Sequence, residues 1–297
     1  MMRKLLIGAV VSALALLFAT PAQAAEIRPV TGFGSNPGAL QMFEYVPDGL
    51  PSGRPAVVVL HGCTQDAAGY ARGSGWVGLA DRLRFKLVLP QQVSANNFTK
   101  CFNWFQAGDI KRGSGEAESI AQMARFSAGS RTYVTGLSAG GAMTSVMLAA
   151  YPELFSGGGV VAGLPYGCAT SMIDAYSCMN PGKDLTPKQW GDKVRAAGTG
   201  PRSPVSAWHG TADYTVVPLN MRELSEQWTD VGAAVDTHAV TGMGHGQPIA
   251  PGAGCGQAGP YLLDVGVCAA AELAAKWRLG EDGVQQPGEA RVDVFGA

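Results

Sequence analysis

"YVTGLSAGGAMTSV", residues 133–146, decides how this chain is read. The strand formers Tyr133, Val134 and Thr135 stop at Gly136. Ser138 follows, and the small residues Ala139, Gly140, Gly141 and Ala142 then open a stretch of helix formers. Residues 136–140 fit G-x-S-x-G, but a chain with 41 glycines among 297 residues produces that pattern by chance about 0.3 times. The flanks carry the weight. A strand precedes, and a helix runs as far as Tyr151, where Pro152 disfavours its continuation. Strand, tight turn and helix make the context that lifts a serine hydroxyl clear of the chain, with glycines beside it because side chains there would collide. The competing reading is a serine packed in a turn of small residues.

Working outward, the same alternation repeats. "PAVVVLHG" (55–62), "FKLVLPQ" (85–91), "RTYVTG" (131–136), "GGGVVAG" (157–163), "SPVSAWHG" (203–210) and "VDTHAVTG" (235–242) are short apolar runs closed by turn residues. Between them, "GEAESIAQMARFSA" (115–128), "AGGAMTSVMLAAY" (139–151), "LNMRELSEQWTDVG" (219–232) and "AAAELAAKWRLG" (269–280) place apolar residues at helical spacing. Buried strands alternating with helices predict an α/β chain: a mostly parallel sheet with helices on both faces. Ligands of such sheets sit at the carboxyl ends of the strands, where the unusual residues of this sequence fall.

Composition narrows the class of function. With 46% hydrophobic and 15% charged residues the chain can bury a substantial core, and its net charge of −1 points neither to nucleic acid nor to a membrane surface. "MMRK", an apolar run and "PAQA" read as a signal peptide over residues 1–24, cleaved after Ala24. A catalytic domain is expected over 25–280 and a flexible polar tail over 281–297, with the mature chain secreted, either extracellular or periplasmic. The six cysteines fit an oxidising compartment. Proximity favours Cys168 with Cys178 and Cys255 with Cys268, leaving Cys63 with Cys101, although six cysteines allow 15 pairings. A zinc site or a cysteine nucleophile is the rival; no C-x₂-C cluster supports the metal, and a bridged cysteine has no thiolate to offer.

An elbow serine needs a base, and the base an orienting carboxylate, in the chain order Ser, Asp or Glu, His. His61 precedes Ser138, and His209 and His238 lie within strand-like runs. His245, in the glycine-rich "TGMGHGQP" (241–248), is free to project over the sheet edge and is the expected base. Asp213, in a loop past the strand ending at 210, is the expected acid; Asp230 and Asp236 compete. It would accept the Nδ1 proton of His245, fix the tautomer and stabilise the imidazolium. The developing oxyanion needs backbone donors, one from Ala139 and one from the loop after an early strand. "VVVLHGCTQ" (57–65) supplies that loop, with the Cys63 amide as donor and a Cys63–Cys101 bridge to hold it. His61 is read either as a structural loop residue or as part of the site.

"LHGCTQDA" (60–67), "CFNWF" (101–105), "RGSGEAESI" (112–120), "VTGLSAGGAMT" (134–144), "WHGTADYTVVPLN" (208–220) and "GMGHGQPI" (242–249) resemble the poly(3-hydroxybutyrate) depolymerase family of secreted esterases. That family is related to feruloyl and acetyl xylan esterases. The resemblance runs from about Val30 to Gly246. It implies an α/β-hydrolase fold with Ser138, Asp213 and His245 as the triad and Cys63 in the oxyanion loop, the residues already reached from spacing and context. It further implies a serine esterase acting on short-chain 3-hydroxyalkanoate esters, with no metal or organic cofactor required. Polymer-degrading members usually append a polymer-binding domain, so soluble oligomers or amorphous polymer are expected ahead of crystalline granules. Feruloyl or acetyl xylan esterase is the alternative. An exported binding protein without turnover is the reading from another class, disfavoured because all three triad members are present in order. Among aromatics expected to border the cleft, Trp104 and Trp208 come first as substrate contacts. Oligomeric state is not legible.

Overall fold

The pentapeptide Ala56–Leu60, apolar at every position, is the natural centre of a sheet covered on both faces. In the computed structural model, which describes residues 25–281, it is the third strand of an eight-stranded sheet. The strands are β1 (Arg28–Val30), β2 (Gln41–Tyr45), β3 (Ala56–Leu60), β4 (Lys86–Gln91), β5 (Thr132–Leu137), β6 (Gly158–Val161), β7 (Val205–Gly210) and β8 (Val235–Val240). Their spatial order is β1-β2-β4-β3-β5-β6-β7-β8. β2 runs antiparallel to β1 and β4; all other pairs are parallel. Two further short strands, β9 (Gln247–Ile249) and β10 (Leu262–Asp264), pair in parallel outside the main sheet.

Side-chain alternation divides the core. Val58 and Leu60 of β3 face one apolar cluster, shared with α3 (Gly115–Phe126), α4 (Ala139–Ala150), α6 (Pro187–Ala197) and α7 (Leu219–Asp230). Val57 and Val59 face the other, shared with α1 (Ala67–Gly73), α2 (Trp76–Leu83) and α8 (Ala269–Lys276). Successive residues of a strand point to opposite faces, so one continuous apolar run serves two cores. This is the α/β-hydrolase architecture that the sequence implies. α5 (Met172–Met179), tethered by the Cys168–Cys178 bridge, gives Ala175 and Cys178 to the first cluster and lines, with Ser138, a cavity at the carboxyl end of β5. The other bridges are Cys63–Cys101 and Cys255–Cys268.

All six apolar runs form strands and all four helical stretches form helices. The antiparallel pair β1 and β2 was not among the expected strands. Gln41 and Glu44 interrupt the apolar pattern of β2, and the Glu44 carboxylate meets Arg28 at 2.8 Å and the Ser127 hydroxyl at 3.1 Å. Helices α1, α2, α5 and α6 were also unforeseen, because glycines and short lengths obscure their periodicity. Their caps are nonetheless regular: Asp66 accepts from the Gly69 amide at the start of α1, and Thr186 and Gln189 form a reciprocal capping box before α6. The expected signal peptide, residues 1–24, and the expected flexible tail over 281–297, apart from Glu281, lie outside the described residues. Among the described residues no helix is long and apolar enough to cross a membrane.

Just past α8, Trp277 stacks on Tyr133 of β5 at 4.6 Å and on Trp76 of α2 at 5.9 Å between centroids. This column locks the last helix onto the sheet. Trp277→Ala is expected to lower the unfolding free energy by about 3–5 kcal/mol, as chemical denaturation of the two proteins would measure.

Candidate active site

Ser138 links β5 to α4 in a backbone conformation, φ 57° and ψ −115°, that an L-residue rarely adopts and that costs on the order of 1–3 kcal/mol. Its neighbours make the turn feasible. A Cβ at Gly136 would fall 2.5 Å from the carbonyl of Gly140, and one at Gly140 would collide with the carbonyl oxygens of Leu60 and His61. The strained residue is anchored on both sides: its N–H donates to the Val161 carbonyl at 2.9 Å and its own carbonyl accepts from Ala142 at 2.8 Å.

The loop from β8 to β9 brings His245 over this turn. His245 Nε2 lies 2.8 Å from Ser138 Oγ, and Nδ1 lies 2.7 Å from Asp213 Oδ2. With a carboxylate at Nδ1, the proton of the neutral ring sits there and Nε2 is left to accept from the serine hydroxyl. Asp213 stands in the loop from β7 to α7. Its other oxygen, Oδ1, accepts from the amides of Thr215 and Val216, both at 2.9 Å. The two loops are stitched together by Ala212 N–H to Met243 O at 3.0 Å and Gly242 N–H to the Thr211 hydroxyl at 2.8 Å.

His209, read from the sequence as a structural strand residue, has a second office. Its Nε2 donates to the Val216 carbonyl at 2.7 Å and lies 3.4 Å from Asp213 Oδ2. Burial alone would raise the Asp213 carboxyl, but His209, His245 and the Val216 amide outweigh it and hold the group well below the usual carboxylate range. Asp213 is therefore an anion throughout the neutral range. The competing carboxylates are engaged elsewhere, Asp230 with Arg195 at 2.7 Å and Asp236 with His238 and Lys276.

On the opposite side of Ser138 lies the loop after β3. The amides of Cys63 and of Ala139 have no acceptor among the described residues; for Ala139, the first residue of α4, that is expected of the free donors at a helix start. The Cys63 loop is rigidly held: Gly62 N–H donates to Gln65 Oε1 at 2.8 Å, Thr64 N–H to the Thr99 carbonyl at 2.6 Å, and the disulfide joins Cys63 to Cys101. His61 is fully buried beneath it.

Two cavities meet at Ser138. The larger, 420 Å³, runs under Trp104, Phe105, Leu164, Met172 and Tyr176; the smaller, 220 Å³, passes His245 towards Tyr261 and Gln65. Trp104 thus borders the cleft as expected. Trp208 does not: it lines neither cavity. It packs in the core shared with α8, stacked on His238 at 3.9 Å with its indole N–H on the Ser206 hydroxyl. Strand alternation explains the correction, because Trp208 and His209 must point to opposite faces and His209 takes the one towards Asp213. The cavity residues of α5 were missed because that helix is a single short segment inside a disulfide loop. A groove of 790 Å³ at the amino ends of the strands, between Pro51 and Gly280, is remote from these groups.

The family described as Esterase PHB depolymerase matches residues 40–247 of this chain. Poly(3-hydroxyalkanoate) depolymerase C of Paucimonas lemoignei is 48% identical over 298 residues, covering 85% of this chain and 72% of that protein. A probable acetylxylan esterase A of Aspergillus fumigatus is 34% identical, covering 75% of this chain and 65% of that protein. Among solved structures, an acetyl xylan esterase from Aspergillus awamori superposes with a TM-score of 0.68 at 28% identity, over 74% of this chain and 94% of the other.

Burial fixes a pH response at this site. It holds the His61 imidazole down to about 4, from 6.5 in an unfolded chain. The unfolded chain therefore takes up this proton first, so the stability His61 contributes is complete above about pH 6.5 and lost as pH falls towards 4, a change of roughly 3 kcal/mol. Glu116 acts in the other direction: burial pushes its carboxyl up to about 8, a stabilisation complete below about 4.5 and lost as pH rises through 8. Denaturation of wild type and His61→Gln at pH 7 and pH 4 isolates the histidine. Wild type is expected to lose about 3 kcal/mol more than the variant.

Proposed function

Because the chain belongs to the Esterase PHB depolymerase family, whose members are carboxylic ester hydrolases, we propose that it hydrolyses short-chain 3-hydroxyalkanoate esters, polymeric or oligomeric, with Ser138 as nucleophile. The observation that carries this reading is the continuous line Ser138 Oγ, His245 Nε2, His245 Nδ1, Asp213 Oδ2, with links of 2.8 and 2.7 Å, beside two amides without an acceptor among the described residues. Ser138 Oγ attacks the ester carbonyl as His245 Nε2 takes its proton. The tetrahedral oxyanion is held by the Cys63 and Ala139 N–H groups, and the ionised Asp213 stabilises the imidazolium. His245 then returns the proton to the departing alkoxide, leaving an acyl-enzyme. Water, deprotonated by the same nitrogen, attacks the acyl group; the released acid leaves Ser138 with its proton restored. The chemistry needs no metal or organic cofactor.

The surroundings favour a polyester chain over a sugar. The larger cavity has a mostly apolar wall, and large apolar side chains lining the two cavities stand clear of the protein: Phe98 is 91% exposed and Tyr176 65%, with Met172 and Tyr261 about half exposed. Exposed apolar patches mark contact surfaces, and a polysaccharide main chain would call for polar partners there. The likeness to acetylxylan esterases supports the second reading, release of acetyl or feruloyl groups from plant polysaccharide. Three disulfides and the expected signal peptide support export to an oxidising compartment.

Wild type and Ser138→Ala, compared on amorphous polyhydroxybutyrate and on acetylated and feruloylated xylan, test the assignment. Wild type is expected to release 3-hydroxybutyrate monomer or dimer, and the variant to lose at least about 10⁴-fold in rate. Release of acetate or ferulate alone would transfer the assignment to the second reading.

A further inference from the structure

Glu116, in the first turn of α3, is a buried carboxyl with which no described lysine or arginine pairs. Burying such a group without a cation is unfavourable, and the reaction above does not use it. Its oxygens show what it does. Oε1 accepts from Gln92 Nε2 at 2.5 Å and Oε2 from the Asn103 amide at 2.7 Å. Gln92 Nε2 also donates to the Cys101 carbonyl at 3.0 Å, and the Gln92 amide donates to His61 Nε2 at 3.1 Å.

That last bond fixes the histidine tautomer. A backbone N–H can only donate, so His61 Nε2 is the acceptor and Nδ1 carries the proton. Nδ1 donates to the Gly62 carbonyl at 2.7 Å. In a trans peptide the carbonyl of one residue and the N–H of the next point in opposite directions within one rigid plane. Holding Gly62 O therefore aims Cys63 N–H, and the Cys63–Cys101 bridge closes the circuit back to Gln92 through the Cys101 carbonyl.

We propose that Glu116 is a positioning residue for ester hydrolysis: through Gln92 and His61 it orients the Gly62–Cys63 peptide whose N–H receives the oxyanion. The inference rests on the esterase reading above. It predicts a loss in the transition state rather than in substrate binding, because the donor is misaimed while the cavity keeps its residues.

The experiment measures kcat and KM on a soluble 3-hydroxybutyrate ester for wild type, Glu116→Ala, Glu116→Gln and Ser119→Ala. Each kcat is divided by the fraction of sites titrated to completion with an organophosphonate, so that unfolded protein is not counted. Glu116→Ala is expected to lower kcat per titrated site by about 10- to 100-fold, somewhat less than outright loss of an oxyanion donor, with KM within about threefold. Glu116→Gln keeps the shape, but its NH2 group cannot accept from Gln92 or Asn103, whereas both oxygens of the carboxyl can even when it is protonated below about 8; about a 10-fold fall is expected, and this variant decides the matter if the alanine does not fold. Ser119→Ala removes a bond from the same helix to the Gly38 amide and should keep kcat per titrated site. Wild-type kcat in both Glu116 variants, or an equal fall in Ser119→Ala, overturns the inference while leaving the esterase reading intact. A wild type with no ester hydrolysis overturns the reading beneath it.

Discussion

The left-handed backbone of Ser138 is the constraint on which the rest of the site depends. A residue at φ 57° persists only where its surroundings over-determine it, and here the surroundings are the sheet itself. Gly136 and Gly140 let the turn press against the Leu60 and His61 carbonyls of the neighbouring strand and its loop. Cys63, Ser138 and Ala139 line one cavity beside that turn. Register then does the remainder: Leu60 pairs with Gly136, Leu137 with Val161 and Gly210 with Val240, so three loops from different parts of the chain emerge at one edge, carrying Cys63, Asp213 and His245.

Charge is distributed around that edge economically. Asp213 is the fixed anion, held by two backbone amides and two imidazoles, and its position sets the tautomer of His245. His61, by contrast, is kept neutral by burial and acts by what its two nitrogens can accept and donate. Two histidines with opposite surroundings thus flank Ser138 and its neighbouring loop, and the proposed mechanism gives them different tasks, proton movement to His245 and aim of the oxyanion donor to His61.

Much of this was legible in the sequence because the decisive signals are local. A glycine-flanked serine between a strand and a helix reads as an elbow in five letters with their flanks, and the apolar runs of β3 to β7 are unambiguous when each is buried on both faces. Asp213 and His245 were legible through order and through their placement just past strands. What escaped is tertiary. His209 looks like any strand histidine until Asp213 folds back over it, and Glu116 looks like a solvated first-turn glutamate until the 92–103 segment covers it. Trp208 was assigned to the cleft because its segment was expected to border it, whereas alternation along β7 turns its side chain away from His209 and Asp213 into the core. α5 was hidden by its length and by the disulfide that encloses it, although its residues form one side of the cavity mouth.

The central claim is that backbone strain, imidazole and carboxylate together make one hydroxyl reactive. Labelling the wild-type protein with a fluorophosphonate and mapping the modified peptide by mass spectrometry tests it most directly. The account predicts rapid, stoichiometric modification at Ser138 alone. Modification at another residue, or none at a rate above that of free serine, would contradict it.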